Sequence, residues 1–133
     1  ERGLIGSKAY AQKLVDEKLN VVSVHTIDQL AWDNDGDKGI ELEMPTEEIK
    51  NHYLKVAKQF NYEFPIQMSD VTSTDHRSFR RLGFAATGIT EEYKNGDTTP
   101  HYHKPTDTFE TVNFEYLTTI TEYVQQVFED LMK

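Results

Sequence analysis

The chain has 133 residues, of which 37% are hydrophobic and 11% aromatic, which is enough for one globular domain with its own core. Its formal net charge of −9 argues against nucleic acid as a partner, because phosphate backbones bind clusters of Lys and Arg. The chain has no cysteine, which excludes disulfides and cysteine-based zinc sites, and no apolar run reaches the roughly 18 residues that a membrane span needs.

The N-terminal part of the chain predicts a helix followed by a strand. Ser7 can cap a helix that runs to about Leu19. Residues 21–31 are nearly continuous in apolar side chains, which predicts a buried central strand with Asp28 near its carboxyl end. Open α/β sheets bind ligands outside the carboxyl ends of their strands, so this is a favourable position for a metal ligand. Either a metal or a cluster of hydrogen bonds would offset the cost of burying the Asp28 carboxylate.

An acidic turn and an alternating segment follow. Residues 33–39 combine Asp, Asn and Gly as a turn does, but Lys38 and Met44 stand where a calcium-binding EF-hand loop needs Gly and Glu. We therefore expect a hydrated turn. Residues 39–44 then alternate between apolar and acidic side chains, which predicts a strand with Glu41 and Glu43 facing outward and allows a hairpin with the preceding strand.

The rest of the chain continues the alternation of helices and strands. Thr46 begins a helix to about Phe60, and a short strand follows over residues 62–68, which Pro65 pushes toward a sheet edge or a bulge. Asp75 can cap a short helix, residues 84–90 predict another strand, and Asn113 can cap a long amphipathic C-terminal helix. This alternation is typical of an α/β fold.

The segment between the last predicted strand and the last helix has no clear element over about twenty residues, and such loops are usually functional or disordered. It contains His101, His103 and Asp107. A loop histidine makes a good zinc ligand when its second ring nitrogen donates to a carboxylate. With Glu1 and Asp28 earlier in the chain, His103 indicates a metal site of mixed oxygen and nitrogen ligands.

Four segments resemble, in the same order, the motifs of the aminopeptidase family that binds two zinc ions between carboxylates and histidines. That family carries Glu-Glu-x-Gly-Leu-x-Gly-Ser, then an Asp-Met-Ile-Gly-like segment, then Ser-Asp-His, then His-x-x-x-Asp-Thr. The matching segments here are Glu1-Arg-Gly-Leu-Ile-Gly-Ser7, Asp28-Gln-Leu-Ala31, Thr74-Asp-His76 and His103-Lys-Pro-Thr-Asp-Thr108.

The resemblance implies a three-layer α/β/α fold with a mixed, mostly parallel sheet, zinc as the cofactor, and peptides as substrates that lose their N-terminal residue. It implies that Glu1, Asp28 and His103 are metal ligands, and that one histidine suffices, so His101 is less favoured. Asp107 is expected to orient His103 or shape its loop, with Asp75 and His76 in the wall of the site.

The family's general base would stand just before Glu1, and its upstream histidine and bridging aspartate are not in this sequence. We therefore expect residues 1–133 to form the C-terminal portion of a single catalytic domain, incomplete at its N-terminal side. An open sheet edge in such a piece would favour self-association. The resemblance favours an extracellular or periplasmic location.

Two other functions compete with the aminopeptidase. A glutaminyl cyclase has the same kind of fold and uses one zinc ion to cyclise N-terminal glutamine, although the Gly3-Leu-Ile-Gly-Ser7 run resembles the peptidases more closely. A non-catalytic module could also reuse a peptidase-like domain for binding. Retention of Glu1, Asp28 and His103 argues against that alternative.

Overall fold

The structure, a computed structural model, describes residues 3–133. Glu1, one of the three expected metal ligands, lies outside the described residues. The described part of the chain alternates helices and strands, as the sequence predicts. Its elements are α1 (Ile5–Asp16), β1 (Val24–Ile27), β2 (Ile40–Glu43), α2 (Glu47–Phe60), β3 (Ile66–Ser69), α3 (His76–Arg80), β4 (Ala86–Thr90), a 3-10 helix (Phe109–Thr111) and α4 (Phe114–Leu131).

The four strands form one mixed sheet in the order β1-β4-β2-β3. The pairs β1–β4 and β2–β3 are parallel, and β2–β4 is antiparallel, so two of the three pairings are parallel. Of the two alternatives that Pro65 left for the strand over residues 62–68, an edge or a bulge, the edge is found, because β3 begins directly after Pro65 and lies at one end of the sheet. The prediction of a central strand over residues 21–31 is wrong, because β1 is a four-residue strand at the opposite edge.

The helices cover both faces of the sheet, which confirms the α/β fold. On one face, α2 and α4 pack over Ile40, Leu42 and Ile89 of the central strands. On the other face, α1 and α3 pack over Ala86 in a smaller cluster. The sheet is therefore the middle of three layers. Among the described residues, no helix combines the length and apolar character that crossing a membrane requires.

The helix start predicted at Thr46 and the cap predicted at Asn113 both carry a side-chain cap. The Thr46 hydroxyl accepts a hydrogen bond from the Ile49 amide at 3.2 Å, and the Asn113 side chain accepts one from the Tyr116 amide at 3.0 Å. Each bond satisfies an amide that the first turn of a helix leaves without a partner. Ser7 is not a cap, because α1 begins at Ile5 and Ser7 lies inside its first turn.

Strand β2 corrects the predicted orientation of its acidic residues. All four of its residues are buried, with Glu41 1% and Glu43 3% exposed. The reason is its central position: β4 and β3 flank it, so it forms no hairpin with β1, and both of its faces are covered. The alternation of apolar and acidic residues is real, but the acidic face lies under other parts of the chain and not in solvent.

Candidate functional site

A cavity of about 540 Å³ lies between the first turn of α1, the segment after β1, the segment before α3 and the loop 91–108. It brings together four of the predicted site residues, which come from distant parts of the sequence. These are Asp28, Asp75, His103 and Asp107. The first turn of α1, from Leu4 to Ser7, also lines the cavity. Glu1 is thus close in sequence to this wall, although it is outside the described residues.

Asp28 stands immediately after β1 and is exposed, so it is not inside a buried strand as the sequence predicts. The next residue, Gln29, has a positive φ of 47°, which turns the chain away from the strand direction. Its amide donates to the Asp28 carboxylate at 2.9 Å. This turn leaves the carboxylate at the cavity, where a ligand can reach it without the cost of burial.

His103 reaches the same cavity from the loop 91–108. Its backbone is left-handed, with φ 54°, and its ring stacks on that of Tyr102 with centroids 3.8 Å apart. Asp107 also lines the cavity. In the described part of the chain, no hydrogen bond joins the Asp107 carboxylate to the His103 ring. Asp107 instead stabilises the loop through its backbone, because its amide donates to the Lys104 carbonyl at 3.0 Å.

The other histidine of this loop is directed elsewhere. The ring of His101 packs edge-on against Trp32 with centroids 5.8 Å apart. Its Nδ1 lies 3.0 Å from the Thr106 hydroxyl. His101 is not among the residues that line the cavity, whereas His103 is. The two neighbouring histidines therefore have separate surroundings, and the loop offers one of them to the cavity.

Asp75 and His76 differ in their positions. Asp75 is exposed at the cavity and precedes α3 without making a side-chain cap bond, so the predicted cap is not formed. His76 is fully buried behind the wall, with Nδ1 3.2 Å from the Glu43 carboxylate and 2.7 Å from the Thr74 hydroxyl. That hydroxyl also donates to Glu43. Glu43 therefore connects the sheet to the wall segment that carries Asp75.

Glu91 is a further buried carboxylate that sequence reasoning missed. It directly follows β4 and is 1% exposed. Burial raises the pKa of its carboxyl group, and hydrogen bonds from two amides of the 31–32 segment and from Thr98 and Thr99 oppose that rise. A glutamate at the end of a wholly buried strand is a sequence signal that could have identified it, because such a carboxylate requires donors.

Three carboxylates of the acidic turn lie close enough together to share a metal ion: Asp33, Asp35 and Asp37. No other group of three potential ligands is this close among the described residues. Two of these carboxylates are exposed. Several of their oxygens accept hydrogen bonds from amides of the same turn, such as that of Gly39 at 2.7 Å. The turn that the sequence predicts is therefore present.

The side chains at the cavity carry the types of donor atom that bind zinc. Asp28 offers a carboxylate oxygen and His103 an imidazole nitrogen, and these are donors that zinc takes in proteins. The cavity lining also contains the carboxylates of Glu43, Asp75 and Asp107, while no Lys or Arg is among its described lining residues. A cation entering the cavity would therefore meet negative charge. The described residues supply two of the three predicted ligands, and the third is Glu1.

Comparison with solved structures finds the same fold in several enzymes. The LapA aminopeptidase of Legionella pneumophila is 21% identical with a TM-score of 0.82, over 95% of this chain and 35% of that one. BSAP, a zinc aminopeptidase of Bacillus subtilis, is 17% identical with a TM-score of 0.85, over 97% and 33%. A glutaminyl cyclase of an Acidobacteriales bacterium is 16% identical with a TM-score of 0.72, over 93% and 44%.

These similarities define the fold and the extent of the match. The chain spans about a third of the length of LapA and BSAP. A comparison with curated proteins gave no match. The sequence model of peptidase family M28, in contrast, matches residues 1–128. Because this match covers nearly the whole chain, the protein belongs to peptidase family M28, as the resemblance of its four motifs predicts.

Proposed function

We propose that this chain supplies part of the metal centre of a zinc-dependent aminopeptidase. The observation that carries the proposal is the meeting of Asp28 and His103 at one acidic cavity, although distant segments of the sequence provide them. Membership in a peptidase family makes a peptide the substrate class. The fold shared with LapA and with BSAP, which are both aminopeptidases, supports removal of N-terminal residues as the reaction.

In this proposal Glu1, Asp28 and His103 hold the metal, and the complete domain binds two ions. Zinc, when bound, lowers the pKa of a coordinated water and polarises the substrate carbonyl. Asp75 and Asp107 contribute negative charge at the cavity wall, which suits the α-ammonium group of a peptide. The residue that would move the proton as general base is expected just upstream of Glu1.

Zinc titration by calorimetry tests the metal site on this chain directly. We expect His103→Ala to weaken zinc binding by more than about 100-fold, because even outer partners of metal ligands typically contribute 10–100-fold. His101→Ala is the matched control, since it removes a histidine of the same loop whose ring packs on Trp32. The control should bind zinc with nearly the affinity of the parent chain.

Two results would count against the proposal. Equal zinc affinity in His103→Ala and the parent chain would show that His103 is not a ligand. Retained affinity in His103→Ala with loss in His101→Ala would transfer the ligand role to His101. Circular dichroism of each variant shows whether the fold is intact, so that a collapsed loop is not mistaken for a lost ligand.

A glutaminyl cyclase is the second candidate, and the specific observation in its favour is the shared fold with the Acidobacteriales enzyme. The lower TM-score of that match, 0.72 against 0.85 for BSAP, makes it the weaker one. Peptides with N-terminal leucine and N-terminal glutamine, assayed with the full-length protein, distinguish the two. Release of free leucine indicates the aminopeptidase, and loss of ammonia from the glutamine peptide indicates the cyclase.

We also propose that the chain self-associates through β1. Among the described residues this strand pairs with β4 along one side only, and Val22, two residues before it, and Ile27, its last residue, are 76% and 52% exposed. An open strand edge beside apolar side chains is a template for pairing with another chain. Sedimentation velocity should show dimers or larger species that Ile27→Lys reduces, and a sharp monomer at all concentrations would contradict the proposal.

The family resemblance further favours an extracellular or periplasmic location, which cell fractionation can check.

A further inference from the structure

The carboxylate of Glu91 lies between the two segments that present Asp28 and His103. Its Oε2 accepts hydrogen bonds from the amides of Ala31 at 3.2 Å and Trp32 at 2.9 Å. Its Oε1 accepts from the Thr98 hydroxyl at 2.9 Å and from the Thr99 amide at 2.7 Å. Each oxygen therefore serves a different segment: one follows Asp28 in sequence, and the other precedes His103.

We propose that Glu91 is a positioning residue that fixes the Asp28 segment and the His103 loop relative to each other, and so sets the geometry of the metal site. We call Glu91 and its four donor groups the Glu91 clamp. The inference rests on the proposed function in one respect, which is that Asp28 and His103 bind the same metal centre. The clamp itself is a set of contacts that exists without metal.

The chemistry of the carboxylate explains why this position requires glutamate. An ionised carboxylate only accepts hydrogen bonds, and its two oxygens can take several donors at once. All four contacts of the Glu91 clamp are donors, so every one of them is satisfied. Hydrogen bonds to a charged group are about twice as strong as neutral ones, which makes a buried carboxylate a firm anchor. A glutamine would present an amide group to two of the four donors.

The architecture of the loop makes such an anchor necessary. Between β4 and α4 the described residues form only the Glu92–Asp97 bridge and the 3-10 helix, so no extended ladder holds residues 98–108. The backbone beside the clamp adds rigidity, because the Glu91 amide donates to the Gln29 carbonyl at 2.8 Å. Glu91 is thereby fixed to the Asp28 segment by its backbone and to the His103 loop by its side chain.

Glu41 provides a matched control. It is also a buried glutamate whose Oε1 accepts from this loop, from the amides of Lys94 at 2.6 Å and Asn95 at 3.2 Å. It joins that part of the loop to β2, however, and not to the Asp28 segment. Among the described atoms its Oε2 has no hydrogen-bond partner, so Glu41→Gln can place its amide nitrogen there and keep both contacts of Oε1.

The experiment compares Glu91→Gln with Glu41→Gln by zinc calorimetry and by the visible absorption of bound Co²⁺. We expect Glu91→Gln to weaken zinc binding about 10–100-fold, as other partners of metal-ligand segments do, and to change the Co²⁺ spectrum. Glu41→Gln should leave both unchanged. Thr98→Val removes a single donor from the clamp and should give a smaller loss, which keeps the test usable if Glu91→Gln does not fold.

Amide hydrogen exchange in the metal-free chain gives a readout that does not depend on zinc. Glu91→Gln should speed the exchange of the Ala31, Trp32 and Thr99 amides, whereas Glu41→Gln should speed that of Lys94 and Asn95. If the parent chain binds no zinc, the proposed metal function fails and the exchange data alone decide on the clamp. Unchanged protection at Ala31, Trp32 and Thr99 in Glu91→Gln overturns the inference. So does zinc binding that falls equally in both glutamine variants, because that pattern indicates general loss of stability.

Discussion

Replacement of Tyr123 by alanine should destabilise the protein by roughly 3–5 kcal/mol, the range for removing a large aromatic side chain from a core. Tyr123 is fully buried. Its ring makes edge contacts with those of Tyr62 and Phe64, with centroids 5.0 and 5.1 Å away, and with Tyr53 at 5.8 Å. Truncation would leave a cavity between α4, α2 and the segment before β3, which packed neighbours fill only in part.

Tyr123→Phe separates the ring from its hydroxyl group. That hydroxyl donates to the Tyr53 carbonyl at 2.8 Å, so the phenylalanine variant should lose about 1 kcal/mol, the usual net value of one hydrogen bond. Urea unfolding of the three proteins gives the free energies, with the slope of each curve showing whether the unfolding remains comparable. Similar losses in both variants would show that the hydroxyl group, and not the ring, dominates at this position.

The positions of the helices were predictable from local signals, but the residues that they bury were predictable only in part. The helix start at Thr46 and the cap at Asn113 follow from single side chains and the spacing after them, and both side chains accept the cap hydrogen bond. The apolar stripe of α4 predicts five core residues: Ile120, Val124 and Val127 are buried, whereas Leu117 and Leu131 are only partly buried. It does not predict the burial of Tyr123, because a tyrosine is equally suited to a surface and to a core in which its hydroxyl group finds a partner.

The order of the strands could not be derived from the chain. Apolar density predicts a central position for residues 21–31, yet β1 lies at an edge and β4 takes the centre. Pairing depends on contacts between residues far apart in sequence, and a local run of apolar residues does not contain that information. The same limit explains the incorrect hairpin between β1 and β2, which are separated by β4.

The order of the four motifs predicted which residues meet at the site, and the properties of single residues could not have predicted this. The four motifs predict that Asp28 and His103 belong together, and the structure places both at one cavity. The burial of Glu41 and Glu43 was missed because acidic residues at alternate positions of a strand normally face solvent. Glu43 is buried at 3% exposure because the wall segment before α3 covers it, and strand periodicity does not reveal such a cover.

Gly88→Ala should cost roughly 3 kcal/mol, the upper end of the usual range for overpacking a well-packed interior. Gly88 faces Glu43 across the β2–β4 ladder. A methyl group at residue 88 would overlap the Glu43 carboxylate, with its carbon 2.9 Å from Cδ and 3.0 Å from Nδ1 of His76. Neither neighbour has room to move, since both are buried and bonded to each other and to Thr74.

Two further variants identify the cause of that loss. Gly6→Ala adds the same methyl group in α1, where it would meet nothing within 4 Å, and should be neutral or stabilising because alanine favours helices. Removal of the carboxylate in Glu43→Ala should itself destabilise, but it vacates the space that the added methyl group at residue 88 needs. The double variant should therefore be more stable than the sum of the two single losses by about 0.5–3 kcal/mol, the coupling expected for residues in contact. If the losses of Gly88→Ala and Glu43→Ala simply add, the methyl group acts by disturbing the β4 backbone. The Glu43–His76 pair would then not depend on the glycine beside it.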